Sequence, residues 1–258
     1  MIGAVIPLYV LCKIVWPHKV DGLKIYFYKR LLKLIGFQVH THGTIATAAP
    51  VFFVANHTSY LDIPVLGSLL PASFIAKAEV ASWPLFGFMA KLLGTVFIER
   101  RSIRAKQQRD TLTEHLAARQ NLILFPEGTS TDGQMVLPFK STLFSAIETA
   151  AKDIPILVQP VSIGCTAIDG LPMTQNLRHF YTWFGDMTLM PHLWQAFKCN
   201  RLTIHVVFHT PINVHDVPDR KKLAALSHQA VSEGIEHCVT GRWDEPDKEA
   251  VRIAPPHA

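Results

Sequence analysis

Apolar residues in this chain fall into short continuous runs, separated by longer segments in which they recur at helical spacing. The runs are typical of strands covered on both faces and predict strands at 51–55, 73–77, 95–99, 121–125, 154–164 and 201–212. Residues 37–43 alternate and predict one more strand. The other segments predict helices at 61–70, 83–94, about 102–119, about 140–151 and 219–240. Strands that alternate with helices predict an α/β fold: a mixed, largely parallel sheet flanked by helices.

The first 36 residues predict a helical segment that associates with a membrane. The apolar stretch before Lys13 is too short to predict a spanning helix, and it lacks the basic start and the cleavage site of a signal peptide. Apolar and aromatic residues then recur at helical spacing, and Lys24, Lys29, Arg30 and Lys33 occupy much of the remainder. Such a basic amphipathic helix suits the interface of an anionic bilayer. An ordinary surface helix packed on the core is the alternative.

Composition limits the class of protein without naming it. Hydrophobic residues make up 49% of the 258 residues and charged residues 17%, which is too little apolar sequence for a protein that spans a membrane many times. No repeat or linker divides the chain, so 37–243 is predicted to be one α/β domain, followed by a disordered, charged and proline-rich tail at 244–258. The four cysteines form no C-x-x-C pair and are read as reduced, cytosolic thiols.

Polar residues cluster directly after three of the predicted strands. In α/β sheets, sites form at strand ends and in the loops that follow them, so the three clusters could share one crevice. The clusters are Asn56, His57, Ser59 and Asp62; then Glu99, Arg100 and Arg101; then Glu127, Gly128 and Thr129.

The first cluster suggests general-base chemistry. A neutral histidine such as His57 is a good base near neutral pH, and a carboxylate such as Asp62 can orient one ring nitrogen and stabilise the imidazolium. Five positions on one helix would place the two side chains about 140° apart, so the pair needs the predicted strand-to-helix turn between them. Arg100 and Arg101 offer guanidinium groups to a phosphate or carboxylate, and Gly128 lets a backbone approach a ligand closely.

Together and in order, these blocks resemble the motifs of the lysophospholipid (1-acylglycerol-3-phosphate) acyltransferase family, in its bacterial branch. The resemblance covers roughly residues 50–165. The matching positions are Asn56, His57, Ser59 and Asp62 for N-H-x-S-x-x-D; Gly94, Phe97, Ile98 and Arg100 for G-x-x-F-I-x-R; 125–129, with Pro126, for F-P-E-G-T; and Pro160 for the apolar stretch that ends in Q-P.

The resemblance implies transfer of a fatty acyl group from acyl-CoA or acyl-carrier protein to the hydroxyl of a lysolipid, typically 1-acyl-sn-glycerol-3-phosphate. It implies His57 as the base and Asp62 as its partner. It also implies an acceptor site formed by Arg100, Glu127, Gly128 and Thr129. The family uses no metal, no cofactor and no covalent acyl-enzyme, so Ser59 would be structural. Membrane lipids and the acyl donor would be the partners, at the cytoplasmic face of the inner membrane.

One departure bears on the acceptor. Many family members carry arginine after E-G-T, where this chain has Ser130. Lys140, or Arg101 beside Arg100, offers a replacement cation; otherwise the acceptor is a lipid other than lysophosphatidic acid. Bacterial relatives that acylate lyso-ornithine lipid, an aminolipid without phosphate, are the alternative, and the segment 181–194 is similar to that branch.

Other functions fit the sequence less well. A serine hydrolase could pair His57 with Ser59 or Ser130, but the chain has no G-x-S-x-G elbow. A non-catalytic lipid-binding protein would not need the His–Asp pair. The pairs His40/His42 and His205/His209 lack the cysteine or carboxylate that would complete a metal site. Nucleic-acid binding is disfavoured, because basic residues gather in the N-terminal helix and around 100–109 without a recognition module.

Overall fold

The structure is a computed structural model that describes Val15 and residues 20–47, 50–84, 86–98 and 105–241, with the backbone alone for 105–109. Three predicted features fall wholly or partly outside the described residues. They are positions 1–14 and 16–19 of the predicted membrane segment, the predicted cluster Glu99, Arg100 and Arg101, and the predicted tail 244–258.

Seven α-helices and nine strands are numbered in the described part of the chain. The helices are α1 (Val20–Leu34), α2 (Asp62–Gly67), α3 (Phe86–Leu92), α4 (Ala105–Ala117), α5 (Ser145–Ala150), α6 (Leu189–Lys198) and α7 (Arg220–Thr240). The strands are β1 (Phe37–Gly43), β2 (Val51–Ala55), β3 (Ser73–Lys77), β4 (Val96–Ile98), β5 (Leu122–Leu124), β6 (Leu157–Ile168), β7 (Leu171–Pro172), β8 (Leu202–Phe208) and β9 (Ile212–Asn213).

These strands form one mixed sheet in the order β1-β8-β6-β2-β5-β3-β4. Strand β2 lies near the centre and runs parallel to β5 and β6, β3 runs parallel to β4 and β5, and β1 runs parallel to β8. Every antiparallel pair among the described strands includes β6, which pairs in this way with β7, β8 and β9. The predicted fold class, a mixed and largely parallel sheet with helices, is confirmed.

Element boundaries differ from the prediction where local turn chemistry decides them. The predicted strand 201–212 is two strands, because the chain leaves the sheet at Pro211 between β8 and β9. Strand β6 runs on to Ile168 and turns back through Asp169 and Gly170, which both have positive φ. A two-residue loop of this kind is a type I′ hairpin turn, for which Asp-Gly is a favoured sequence.

The core lies on both faces of the sheet, and β2 contributes to both. All five residues of β2 are buried, with Phe53 in the cluster on one face and Phe52 in the cluster on the other. Side chains alternate across a strand, so a strand covered on both faces needs an unbroken apolar sequence. The continuous run VFFVA therefore places the end of β2 at the centre of the molecule.

Helix α1 packs on α2 through an unusually close contact. A Cβ atom on Gly67 would lie 2.4 Å from the ring of Tyr28, so the absence of a side chain there allows the two helices to approach. The predicted basic face of α1 needs one correction: Lys24 is buried and pairs with Asp21 at 2.6 Å, while Lys29 and Lys33 are exposed. No described helix is both long and apolar enough to cross a membrane, and membrane association of α1 stays a prediction.

Candidate active site

The site begins where β2 ends. The side-chain amide of Asn56 donates to the carbonyl of Ile163 at 2.9 Å and accepts the N–H of the same residue at 2.8 Å. The amide therefore continues the pairing between β2 and β6 as a peptide group would. Because Asn56 is fixed to the sheet in this way, the next residue, His57, leaves the sheet at a defined point.

Asp62 is the most heavily hydrogen-bonded side chain of the site. Its Oδ2 atom accepts from His57 Nδ1 at 2.9 Å, from the N–H of Thr58 at 2.8 Å and from the N–H of Ser59 at 2.9 Å. Its Oδ1 atom accepts from the hydroxyls of Thr58 at 3.1 Å and Tyr181 at 2.7 Å. The carboxylate is fully buried. Such a set of donors stabilises a negative charge that would otherwise be costly to bury.

His57 is held with one ring nitrogen free for chemistry. Nδ1 faces Asp62, so Nδ1 carries the proton and Nε2 is the nitrogen that can accept one. The ring stacks on Phe125 with 4.2 Å between ring centroids, and the side chain keeps 22% of its surface exposed. The strand-to-helix turn brings together two side chains that a continuous helix would separate.

Ser59 has a local structural role in this turn. Its hydroxyl accepts the N–H of Leu61 at 3.2 Å, while Asp62 reaches back to the N–H of Ser59. These reciprocal hydrogen bonds resemble those of a capping box and lie in the turn just before α2. Ser59 is fully buried, and this position disfavours it as the nucleophile of a serine hydrolase.

The third motif holds the backbone of His57 from both sides. Glu127 accepts the N–H of His57 at 2.7 Å through one carboxylate oxygen and the N–H of Leu137 at 2.7 Å through the other. The N–H of Thr131 donates to the carbonyl of His57 at 3.0 Å. Burial raises the pKa of Glu127 to about 7, partly offset by the two backbone N–H groups. Both oxygens of Glu127 are thus occupied by protein.

The rest of that motif forms a tight turn. Gly128 is buried with a φ of +76°, a conformation that glycine adopts without strain, and its N–H donates to the carbonyl of Phe125 at 3.2 Å. Thr129 is exposed, whereas Pro126 is buried and its carbonyl accepts the N–H of Lys140 at 3.1 Å. Thr129 is therefore the residue of the turn with a side chain open to solvent.

Two further motif residues have structural positions. Gly94 ends α3 with a φ of +80°, its N–H donating to Lys91 and that of Thr95 to Ala90, which is a Schellman motif. Pro160 lies in β6 opposite Val54 of β2. Arg100, the predicted anchor for the acceptor, lies outside the described residues.

A segment far along the chain closes over the site. Tyr181 is buried, and its hydroxyl donates to Asp62 Oδ1. The N–H of Trp183 donates to the carbonyl of Thr58 at 2.8 Å. Burial, and then the negative charge of Asp62, raise the pKa of Tyr181 well above its ordinary value, so the hydroxyl stays protonated and donates.

Comparison with known proteins identifies the family. A protein-family model described as Acyltransferase matches residues 36–164, a range that includes His57, Asp62, Glu127 and Pro160. The chain belongs to the acyltransferase family. Tyr181 and α6 lie beyond the matched range.

Several characterised acyltransferases resemble this one over most of its length. The lyso-ornithine lipid O-acyltransferase of Brucella abortus is 36% identical over 231 residues, which is 88% of this chain and 85% of that protein. The protein of the same name from Rhodobacter capsulatus is 44% identical over 183 residues, 70% of this chain and 64% of that protein. The 1-acyl-sn-glycerol-3-phosphate acyltransferase of Neisseria meningitidis is 34% identical over 175 residues, 67% of this chain and 64% of that protein.

A solved structure shares the fold. The crystal structure of PlsC, the 1-acyl-sn-glycerophosphate (LPA) acyltransferase from Thermotoga maritima, superimposes with a TM-score of 0.67 and covers 93% of this chain and 90% of that one. The two sequences are 23% identical, so this likeness speaks for the fold alone. The family resemblance inferred from the four motifs is confirmed by the family model and the relatives.

Some of the predicted site residues of the acyltransferase contact one another directly, and others hold the backbone of those residues in place. His57 and Asp62 are in direct contact, and Glu127 binds the backbone of His57. The predicted contacts of Glu127, Gly128 and Thr129 with an acceptor stay predictions. Sequence reasoning missed Tyr181; the one available signal was the aromatic-rich segment 181–194, which carries no motif spacing relative to Asp62.

The histidine pairs do not form a metal site in the described part of the acyltransferase. No group of three or more His, Cys, Asp or Glu side chains with ligand geometry occurs there. His42 and His205 stack across β1 and β8 with 2.8 Å between Nε2 and Nδ1, and His209 Nε2 lies 2.8 Å from the buried hydroxyl of Ser162. The prediction that catalysis needs no metal or cofactor stays a prediction.

Removing the Tyr181 hydroxyl tests its role as a positioning residue. In Tyr181→Phe, we expect kcat to fall roughly tenfold with little change in KM, because Asp62 loses one of the donors that fix its orientation and then positions His57 less accurately. Thr182→Val, next to it and also buried, is the control. An equal loss of kcat in Thr182→Val would indicate a purely structural role for this segment.

Glu127 makes the stability of the acyltransferase depend on pH. Its pKa rises from 4.5 to about 7 on folding, so folding favours the protonated form. This contribution is complete below pH 4.5 and is lost as pH rises through 7. We expect the free energy of unfolding of the wild type, minus that of Glu127→Gln, to decrease across this window with a slope of at most about 1.4 kcal/mol per pH unit. Urea unfolding of both proteins at several pH values measures this difference in free energy. A difference that increases with pH would contradict the prediction.

Proposed function

We propose that this acyltransferase transfers a fatty acyl group from the thioester of acyl-CoA or acyl-carrier protein to the free hydroxyl of a lysolipid. The observation that carries the proposal is the His57–Asp62 contact at 2.9 Å, placed at the carboxyl end of the central strand within the family-matched range. A buried carboxylate that orients a partly exposed imidazole is the arrangement needed for a general base.

The reaction needs one proton to move twice. The acceptor hydroxyl would give its proton to His57 Nε2 while its oxygen attacks the thioester carbonyl carbon, with Asp62 stabilising the imidazolium. The tetrahedral intermediate would then collapse, the carbon–sulfur bond would break, and the imidazolium would return the proton to the leaving sulfur. The products are an ester and a free thiol, and no residue of the protein becomes acylated.

Glu127 would act through His57. Because both of its oxygens accept backbone N–H groups, it sets the position of the His57 backbone against the 131–137 loop. Gly128 and the exposed Thr129 would lie against the acceptor, together with Arg100. The other motif residues would maintain the frame of the site, and these are Asn56, Ser59, Gly94, Pro126 and Pro160.

Lyso-ornithine lipid is the acceptor we propose first. The relatives with that name reach 36% and 44% identity, and Ser130 stands where many family members carry arginine. This reverses the order of the motif-based expectation, in which 1-acyl-sn-glycerol-3-phosphate stood first. The latter remains the second candidate, because a relative with that activity in its name is 34% identical over 67% of this chain.

A side-by-side assay tests the acceptor. Purified protein in vesicles would receive lyso-ornithine lipid or 1-acyl-sn-glycerol-3-phosphate, each with acyl-CoA and with acyl-carrier protein. We expect faster acylation of lyso-ornithine lipid. Faster acylation of the phosphate lipid would replace the first acceptor with the second, and incorporation into neither lysolipid would contradict the proposed function.

A further inference from the structure

Helix α6 exposes three large apolar side chains to solvent. Its buried residues are His192 and Ala196, whereas Met190, Trp194 and Phe197 are 67%, 66% and 51% exposed. The three exposed residues recur at i, i+4 and i+7 and therefore form one stripe. A helix that turns a methionine and two aromatic rings outward is expected to have a binding partner for that stripe.

The inner face of α6 is fixed, so the stripe cannot turn inward. The hydroxyl of Tyr60 lies 2.8 Å from His192 Nδ1, and Ala196 is part of the core cluster on that side of the sheet. Tyr60 also packs edge-on against Phe86 and Trp183. Since Tyr60 lies between His57 and Asp62 in sequence, α6 is attached to the loop that carries the candidate base.

Basic residues border the stripe. Lys198 Nζ lies 5.8 Å from the ring centroid of Trp194. Just beyond the helix, Arg201 lines a shallow pocket with Lys29 and Lys33 of α1, and all three side chains are exposed. Residues 188–206 contain no aspartate or glutamate. Asp169 contacts this segment by accepting the backbone N–H of Arg201 at 2.7 Å.

We propose that α6 is a membrane-docking helix: the stripe enters the interface of a bilayer, and the adjacent basic pocket faces anionic lipid headgroups. Tryptophan and basic side chains beside an apolar stripe are the composition of interfacial helices. A second copy of this chain fits less well, because symmetric pairing through the stripe would bring the two basic borders together. The stripe on α6 lies outside the predicted N-terminal segment 1–36, although Lys29 and Lys33 of that segment line the adjacent pocket. The inference does not depend on the acyl-transfer chemistry.

Vesicle binding tests the stripe. We expect Met190→Ser/Trp194→Ser/Phe197→Ser to bind phosphatidylglycerol-containing vesicles roughly tenfold or more weakly than the wild type, because three side chains lose apolar burial. Met135→Ser is the matched control: Met135 is also 67% exposed, and the adjacent Val136 packs on the opposite face of the sheet. Unchanged binding by the triple variant would overturn the proposal, whatever the activity of the protein.

A second measurement avoids any loss of folding. Trp194→Phe keeps the apolar character of the stripe but removes its fluorophore. The difference in fluorescence between the wild type and Trp194→Phe is the contribution of Trp194, and we expect brominated phospholipid in the vesicles to quench most of this difference. If the difference stayed unquenched, Trp194 would not enter the bilayer and the proposal would be overturned.

Two further experiments test the basic pocket and the alternative that a second copy of this chain binds the stripe. Lys33→Gln and Arg201→Gln should each weaken binding to anionic vesicles roughly fivefold and leave binding to phosphatidylcholine vesicles unchanged. Analytical ultracentrifugation in detergent measures the oligomeric mass and so tests whether a second copy of the chain binds the stripe. If the triple variant lowered the oligomeric mass while its vesicle binding matched the wild type, the stripe would be a protein interface and the proposal would fail.

Discussion

His57→Ala is expected to lower kcat by roughly three to four orders of magnitude. The variant loses the nitrogen that accepts the acceptor proton. The contact of His57 with Glu127 uses its backbone N–H, so alanine preserves it. Asp62 keeps its donors from Thr58, Ser59 and Tyr181. We therefore expect nearly normal folding, measured by circular dichroism and urea unfolding alongside single-turnover acylation.

The same variant separates an enzyme from a lipid-binding protein. Vesicle binding should be equal for the wild type and His57→Ala, because His57 is not part of the α6 stripe. His115→Ala is the control and should keep full activity, because His115 is a half-buried histidine on α4 whose ring contacts Gln120. If His57→Ala kept wild-type acylation, the general-base role would be refuted. A different result would favour a non-catalytic lipid-binding protein: neither the wild type nor His57→Ala acylates a lysolipid, and both transfer lipid between vesicles.

Asp62→Asn should combine a catalytic loss with a loss of stability. The carboxylate accepts five hydrogen bonds, and an amide in its place must turn an NH₂ group toward donors on one side. We expect kcat to fall roughly 10²–10⁴-fold and the free energy of unfolding to fall by about 2–5 kcal/mol. Steady-state kinetics and urea unfolding measure the two effects.

Tyr181→Phe provides the matched comparison for Asp62→Asn. It removes one donor and retains the carboxylate, so its losses of activity and stability should both be much smaller. Because the two residues are in contact, the double variant should not show additive losses. Equal stability of Asp62→Asn and the wild type would contradict the idea that the hydrogen bonds to the buried carboxylate support the fold.

The positions of Tyr181 and Glu127 show where sequence patterns stop being informative. Tyr181 lies 119 residues from Asp62, and no periodicity links a tyrosine in an aromatic-rich segment to a carboxylate at the start of α2. The resemblance implies that Glu127 helps to position the acceptor, and this stays a prediction. The motif did not reveal that both carboxylate oxygens of Glu127 accept backbone N–H groups. A motif identifies the residue types, whereas the packing of the loops determines which way each side chain turns.

Helix orientation in α1 and α6 was likewise decided by packing. Spacing predicted α1, but its contact with Gly67 turns Tyr28 inward and buries Lys24 next to it on that face. In α6 the sequence pattern defines an apolar stripe that ordinary reasoning would bury. The contact of His192 with Tyr60 holds the other face inside.

The sequence alone determined the features that depend on neighbours along the chain: buried strands as unbroken apolar runs, the α/β class, and the His57–Asp62 pair, which a single turn brings together. These features follow from backbone geometry over a few residues, and a one-dimensional pattern records that geometry. The tertiary structure decided what surrounds the pair and which helix face meets solvent. Such contacts join residues far apart in the chain, and they form only when the sheet order brings their elements together.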